Sequence, residues 1–251
     1  MLEPVLHAVQ FNGRAVGGAS GVCFFETSDG REWAVKPRGN RQGDSILWAE
    51  LVCHRLGRCL TAPVLEAAVV DIPPVLAVAA QVRPGLAFGV RRVDLMPGVP
   101  ATSVVAALKA AKNARDCGAI LVLDHWTLNG DRATNGGNIM FEKLTRGWRV
   151  LCLDQGHAFG GPPHEPRRIQ ELTSTTLPGG EFHEALRLAA TPQGVEAFIE
   201  RLERVGIDAG LFSGIPSDWG CTYHHRSVLE PFLVIRKDMI RVHFRACGWV
   251  C

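Results

Sequence analysis

The stretch L-N-G-D-R-A-T-N-G-G-N-I-M-F, residues 128–141, decides how the rest of this chain is read. It is a polar, glycine-bearing loop between an apolar run, residues 120–128, and a short apolar segment, residues 139–141. Its polar residues are rich in side-chain oxygens: Asp131 beside Arg132, then the amides Asn135 and Asn138. A second acid, Asp154, follows in L-C-L-D-Q-G-H-A-F, residues 151–159, after what reads as a short hairpin. Carboxylate and amide oxygens at the ends of neighbouring strands, with an aspartate next to an arginine, are the donors that a magnesium–nucleotide phosphotransfer site requires.

The chain has 251 residues, 47% of them hydrophobic, enough to bury a substantial core. A formal charge of +2 gives no argument for attraction to nucleic acid or to a membrane surface. Lysine is scarce, five against 22 arginines, and Lys36 is the sole lysine in the first hundred positions. A lysine kept where arginine is the habitual cation suggests a need for a compact ammonium. The eight cysteines show no Cys-x-x-Cys pair and read as reduced thiols of a cytoplasmic protein. The start of the sequence has no basic segment leading into an apolar run, so no secretory signal is expected. The most apolar region, residues 62–82, is interrupted by Glu66, Asp71, Pro73 and Pro74, which excludes a spanning helix there.

Working outward from the loop, the beginning of the chain reads as an antiparallel meander. Residues 5–11 and 22–26 are strand candidates, Ser28-Asp29-Gly30 supplies turn chemistry, and residues 32–36, E-W-A-V-K, return as a strand ending in Lys36. Asp44 or Ser45 caps a helix whose stripe is Ile46, Ala49, Cys53, Leu56 and Leu60. Glu50 borders that stripe, so its carboxylate needs a partner, and Lys36 is within plausible reach. Two more strands are expected at residues 65–72 and 86–95, separated by a proline-interrupted segment, with a boundary at residues 96–100. A helix over residues 102–115, a nearly all-apolar helix over 118–128, and a hairpin of 139–142 with 148–153 follow. Thr191-Pro192 starts another helix, and Ser227-x-x-Glu230 reads as a capping box opening a last helix with Leu229, Phe232, Ile235, Met239 and Val242 inward. The class is α+β. A small antiparallel β lobe with one helix (1–95) precedes a larger, mainly helical lobe (96–251), together one domain with the layout of a two-lobed protein-kinase-like fold.

Phosphoryl transfer needs a backbone cradle for the phosphates, a lysine on them, metal ligands, and a residue to orient the nucleophile. The chain offers a candidate for each, in order. Gly17, Gly18, Ser20 and Gly21 form a small-residue turn that lets backbone N–H groups approach phosphate oxygens, although an ordinary hairpin turn would read the same. Lys36 would contact the α and β phosphates of ATP, held by Glu50. Asp131 is the candidate base, with Arg132 ordering the loop. Asn138 is the first metal ligand, with Asn135 as the alternative, and Asp154 is the second. The bland alternative is an Asx-rich turn carrying a surface Asp–Arg pair. His157 reads as structural, and Arg91-Arg92 and Arg167-Arg168 as solvated faces.

These residues carry a resemblance. V-K-P-x-G-N-x-x-G-x-x-x-L-x-x-E (35–50), D-x-W-x-x-N-x-D-R (124–132), N-I-M (138–140) and L-D-Q-G-H-A-F (153–159) are similar to the HipA-like kinases, in the compact bacterial branch without the toxin's extra N-terminal region. The D-R…N-I-M and D-x-G-H elements also resemble the catalytic and metal-binding loops of phosphatidylinositol 3/4-kinases. The resemblance implies an ATP- and Mg2+-dependent serine/threonine protein kinase, with Lys36, Asp131, Asn138 and Asp154 in the roles above. It further implies a protein substrate and self-phosphorylation at Ser20; an operon-encoded regulatory partner is compatible with it but not legible in the sequence. The sequence departs from the pattern in two places. Asparagines stand four and seven positions after Asp131, where relatives place one at five, and Ala133 replaces a common histidine. The same residues would also serve a small-molecule or lipid kinase, an AMP-transferring enzyme, or a nucleotide-binding pseudokinase.

Overall fold

The computed structural model describes residues 2–15, 21–96, 99–135, 138–177 and 179–250. Five strands, β1 (Val5–Arg14), β2 (Cys23–Thr27), β3 (Glu32–Arg38), β4 (Ala67–Ile72) and β5 (Arg83–Arg91), form a closed barrel in the order β1-β2-β3-β5-β4. The expected antiparallel meander is present, with Phe24 opposite Ala34 and Phe25 opposite Trp33. Two features depart from the expectation of an antiparallel sheet with one helix. β1 pairs with β4 in parallel, Val5 opposite Val69 and His7 opposite Asp71, and this closes the barrel. The proline-interrupted segment instead contains a second helix, α2 (Pro74–Ala80), because Pro74 sits in its first turn, where a missing N–H costs nothing.

The barrel strands show the period of two. Ala68, Val70 and Ala87 point into a barrel core with Phe25, Trp33 and Val35, closed by Ala77 and Ala80 of α2. Val69 and Phe88 point the other way, onto α1 (Ser45–Leu60). Helix α1 starts where the sequence places it, and its Ile46, Leu47, Leu51, Val52 and Leu56 are buried. Each such side chain contributes roughly 1.5–3 kcal/mol on leaving water.

Residues 92–96 run from the barrel onto a second sheet, the hairpin of β6 (Ile139–Lys143) and β7 (Trp148–Cys152). The Met96 N–H donates to the Phe141 carbonyl at 2.8 Å, and the Lys143 N–H to the Asp94 carbonyl at 2.8 Å. The remainder is helical: α3 (Ala101–Ala110), α4 (Cys117–Thr127), the single turn α5 (Asp131–Thr134), α6 (Pro166–Glu171), α7 (Glu181–Ala189), α8 (Pro192–Glu203) and α9 (Tyr223–Ala246). The expected helix over 102–115 stops early, because Ala111 turns extended, and a short 3-10 turn at Ala114–Asp116 leads into α4. Every residue of α4 is buried, as its apolar run requires. Thr191 caps α8, its hydroxyl accepting from the Gly194 N–H at 3.0 Å.

The last helix departs from its expectation. It begins at Tyr223 with Thr222 and His225 as the capping box, so Ser227 and Glu230 lie inside it. Its buried set is Leu229, Phe232, Leu233, Arg236, Ile240 and Phe244, while Ile235 and Val242 face water. Arg236 holds α9 to α4, since its Nε donates to the Trp126 carbonyl at 2.8 Å while Trp126 Nε1 donates to the Leu233 carbonyl at 2.9 Å.

Candidate active site

Lys36, on β3, reaches its position because inward and outward residues alternate along that strand, which turns its side chain toward α1. There its ammonium lies between two carboxylates. It donates to Glu50 Oε1 of α1 and, at 2.7 Å, to Asp154 Oδ1 just beyond β7. Lys36 and Glu50 are buried, while the Asp154 side chain is 34% exposed. Burial alone would lower the Lys36 pKa, but the two carboxylates outweigh it and raise the ammonium above its ordinary value. Burial also holds the Glu50 carboxyl above the usual range, with Lys36 partly offsetting it. For Asp154, burial pushes upward, but the Lys36 ammonium and the Arg132 guanidinium win and hold it below the ordinary carboxylate value. Asp154 is therefore an anion at neutral pH.

Glu50 does more than hold a lysine. Its Oε2 accepts from the Gln155 N–H at 2.9 Å and its Oε1 from the Gly156 N–H at 3.0 Å. Asp154 takes a φ of +57°, a left-handed conformation that aspartate tolerates better than most residues, and the next two amides meet Glu50. At Gly156 an added Cβ would lie 3.3 Å from Ile46 Cβ and 3.4 Å from Glu50 Oε1, so the chain passes α1 closely here. One carboxylate thus fixes both the cation and the turn that presents Asp154.

Asp131 begins α5, and Asn138 Nδ2 donates to its Oδ2, so the two residues proposed from the sequence touch each other. Asn135 is exposed; its N–H donates to the Asp131 carbonyl at 2.9 Å, and its carbonyl accepts from the Asn138 N–H at 3.1 Å. The surface Asp–Arg pair is not found. Arg132 is fully buried and its Nε donates to Asp124 Oδ2 of α4 at 2.9 Å. The same guanidinium donates to the Asn138 carbonyl and, at 2.8 Å, to the Leu153 carbonyl. It therefore ties the loop to the chain just past β7, one residue before Asp154. His183 Nε2 of α7 lies 3.2 Å from the same Asp124 oxygen, and Asn129 Nδ2 donates to Gln155 Oε1 at 2.9 Å.

Asp124, Asn129, Gln155 and His183 had no assigned role in the sequence reading. The signal for Asp124 was visible: a lone acid within an otherwise apolar helix needs a buried cation. Of the cradle, Gly17, Gly18 and Ser20 lie outside the described residues, and Gly21 has a φ of +60°. His157 is half-buried and meets Gln42 Nε2 at 2.8 Å through its Nε2.

A cavity of about 300 Å3 opens at Asp131, with His157, Arg168, Thr175 and Thr176 on its walls. Another, of about 730 Å3, lies on the far side of α1 near Glu3 and Arg55 and does not reach these residues. No group of three His, Cys, Asp or Glu able to hold a metal occurs among the described residues. A cation here would draw on the Asp154 carboxylate, an asparagine amide and oxygens brought by its ligand. Such a hard-oxygen set fits magnesium, which takes few protein ligands beside phosphates.

A family model described as HipA-like kinase matches residues 9–179. The crystal structure of a Helicobacter pylori proinflammatory kinase, CtkA, aligns over 98% of this chain and 99% of its own with a TM-score of 0.58 and 12% identity, a likeness of fold alone. A Golgi casein kinase with Mn/ADP bound aligns over 95% of this chain and 73% of its own, at 14% identity and a TM-score of 0.40, too low to carry an argument. No curated protein matches the sequence.

Proposed function

Because the chain belongs to the HipA-like kinase family, we propose that it transfers the γ-phosphoryl group of ATP to a protein serine or threonine in a Mg2+-dependent reaction. The observation that carries this reading is the Lys36 ammonium held between Glu50 and Asp154, an arrangement that links residues 118 positions apart and places a fixed cation beside a partly exposed carboxylate. In this reading the nucleotide lies between residues 1–95 and 96–251. Lys36 binds its α and β phosphates and Glu50 positions Lys36. Asp154 and Asn138 hold the magnesium, with Asn138 preferred over Asn135 because it lies against Asp131 next to the Arg132 clamp. When bound, the metal neutralises charge on the β and γ phosphates. Asp131 accepts the proton of the attacking hydroxyl, and the cavity at Asp131 takes the acceptor.

No helix among the described residues is long and apolar enough to cross a membrane. Incubation with γ-labelled and α-labelled ATP tests the transferred group. Label passes to an acceptor from the γ position only, and passage from the α position would overturn the reading in favour of AMP transfer. Asp131→Asn lowers kcat by about 10²–10⁴-fold, the usual contribution of a positioned base. Asp154→Asn abolishes turnover in magnesium. Wild-type rates in both variants would refute the assignment.

A further inference from the structure

The segment after α6, residues 172–177, reads Leu-Thr-Ser-Thr-Thr-Leu, and nothing in the reaction so far uses it. It is fastened at several points around the catalytic loop. The buried Arg236 guanidinium donates to the carbonyls of Thr173, at 3.4 Å, and Thr175. No carboxylate pairs with this cation among the described residues, and burial brings it down to about 10. Leu177 is buried against Gly130, where an added Cβ would lie 3.4 Å from Leu177 Cδ2. Three residues on, Gly180 sits so close to α5 that an added Cβ would strike the Ala133 carbonyl. The backbone is therefore pinned beneath the turn that carries Asp131.

Between these pins the side chains are open. Thr175 and Thr176 are exposed, and both line the cavity of about 300 Å3 that Asp131 lines. Their neighbours differ. The Thr173 hydroxyl is engaged, donating to the Gln170 carbonyl at 2.9 Å, and Ser174 does not line the cavity. Arg168 lines it as well, 61% exposed, and lies 3.9 Å from Glu171, an acid that sits closer to Arg167 at 3.0 Å. The cavity thus holds a proton acceptor, two hydroxyl groups and a loosely compensated guanidinium.

We propose that the chain phosphorylates itself in cis on the Thr175–Thr176 pair, a step that rests on the phosphotransfer reading above. The threonine Oγ attacks the γ-phosphorus of ATP, an O–P bond forms, and the bond from that phosphorus to the β–γ bridging oxygen breaks. ADP leaves with the electron pair, and the hydroxyl proton passes to the Asp131 carboxylate. The phosphothreonine then faces Arg168, which supplies a charge-assisted donor to the new dianion.

The test uses the full chain, stripped with phosphatase and incubated with magnesium and ATP, followed by intact mass and fragment-ion mapping. ADP release with myelin basic protein as a generic acceptor is measured in parallel. A single phosphate is expected on Thr175 or Thr176, at a rate per molecule that dilution does not change. Thr175→Ala with Thr176→Ala removes the phosphate, and Thr175→Ser with Thr176→Ser restores it on the same positions. ADP release that depends on Asp131, accompanied by no phosphate or by phosphate mapped to another residue, overturns the proposal and leaves the phosphotransfer reading intact. A rate that falls on dilution overturns the cis assignment. If the wild type releases no ADP, the phosphotransfer reading fails and this step fails with it.

Discussion

Replacing Asp124 by alanine isolates the contribution of the clamp beneath the turn that carries Asp131. In the folded chain Asp124 and Arg132 are wholly inaccessible, and the Asp124 Oδ2 accepts from Arg132 Nε at 2.9 Å. Alanine removes the carboxylate and leaves a buried guanidinium with, among the described residues, the Asn138 and Leu153 carbonyls as acceptors. Breaking a buried pair from one side costs about 3–5 kcal/mol, because the remaining charge stays desolvated. For a chain of this size each kcal/mol lowers Tm by about 2–4 °C, so a fall of roughly 6–20 °C follows. Asp124→Asn keeps an acceptor of the same shape and loses only the charge, so it falls between wild type and alanine. Urea titration followed by tryptophan fluorescence reports the difference, since Trp126 lies on the same helix. A loss below about 1 kcal/mol for Asp124→Ala would show that backbone carbonyls alone stabilise Arg132, and the clamp argument would fail.

Two other predictions concern different links of the structure. Burial pushes His54 down to about 4 and His164 down to about 3, whereas in the unfolded chain both titrate near 6.5. The unfolded state therefore binds more protons below that value. Stability is full above about pH 6.5 and falls toward acid by at most about 1.4 kcal/mol per pH unit for each histidine, and equal urea midpoints at about pH 7 and about pH 5 would refute this. Gly180→Ala drives a Cβ into the backbone carbonyl of Ala133, which moves only if α5 moves, so kcat falls by about 10²-fold through displacement of Asp131. Gly179→Ala, with nothing within 4 Å, is the control, and equal rates for the two variants would remove Gly180 from the argument.

What could be read from the sequence followed local physics. Turn residues at Ser28-Asp29-Gly30 and alternation around Lys36 announced the β2–β3 hairpin, and the apolar run over 118–128 announced a buried α4. The parallel pairing of β1 with β4 left no local trace, since it joins residues some sixty positions apart through backbone groups that every residue carries. Helix α2 was hidden because a proline pair marks a helix start as readily as a break. In α9 the period was counted on apolar residues, which drew in Ile235 and passed over Arg236, a cation buried by its carbonyl partners. The site followed the same rule. The charged residues Lys36, Glu50, Asp131 and Asp154 stood out as chemistry, and the structure brings Lys36, Glu50 and Asp154 together, with Asp131 against Asn138. Asp124 carried a signal, a lone acid in an apolar helix, but nothing local named Arg132 as its partner, and His183 lies in the mixed helix α7, where a polar residue is unremarkable.

The bond between Lys36 and Asp154 has a consequence for a nascent chain. The barrel needs residues only up to Arg91, and its closure by β1 and β4 uses no later segment. The lysine spans 118 positions to reach its second carboxylate, and the turn bearing that carboxylate is itself anchored by Glu50. A ribosome releasing this chain would have emitted all five barrel strands well before Lys36 had both of its anions. Closing so long a loop carries an entropic cost, so the Lys36–Asp154 contact forms late in synthesis.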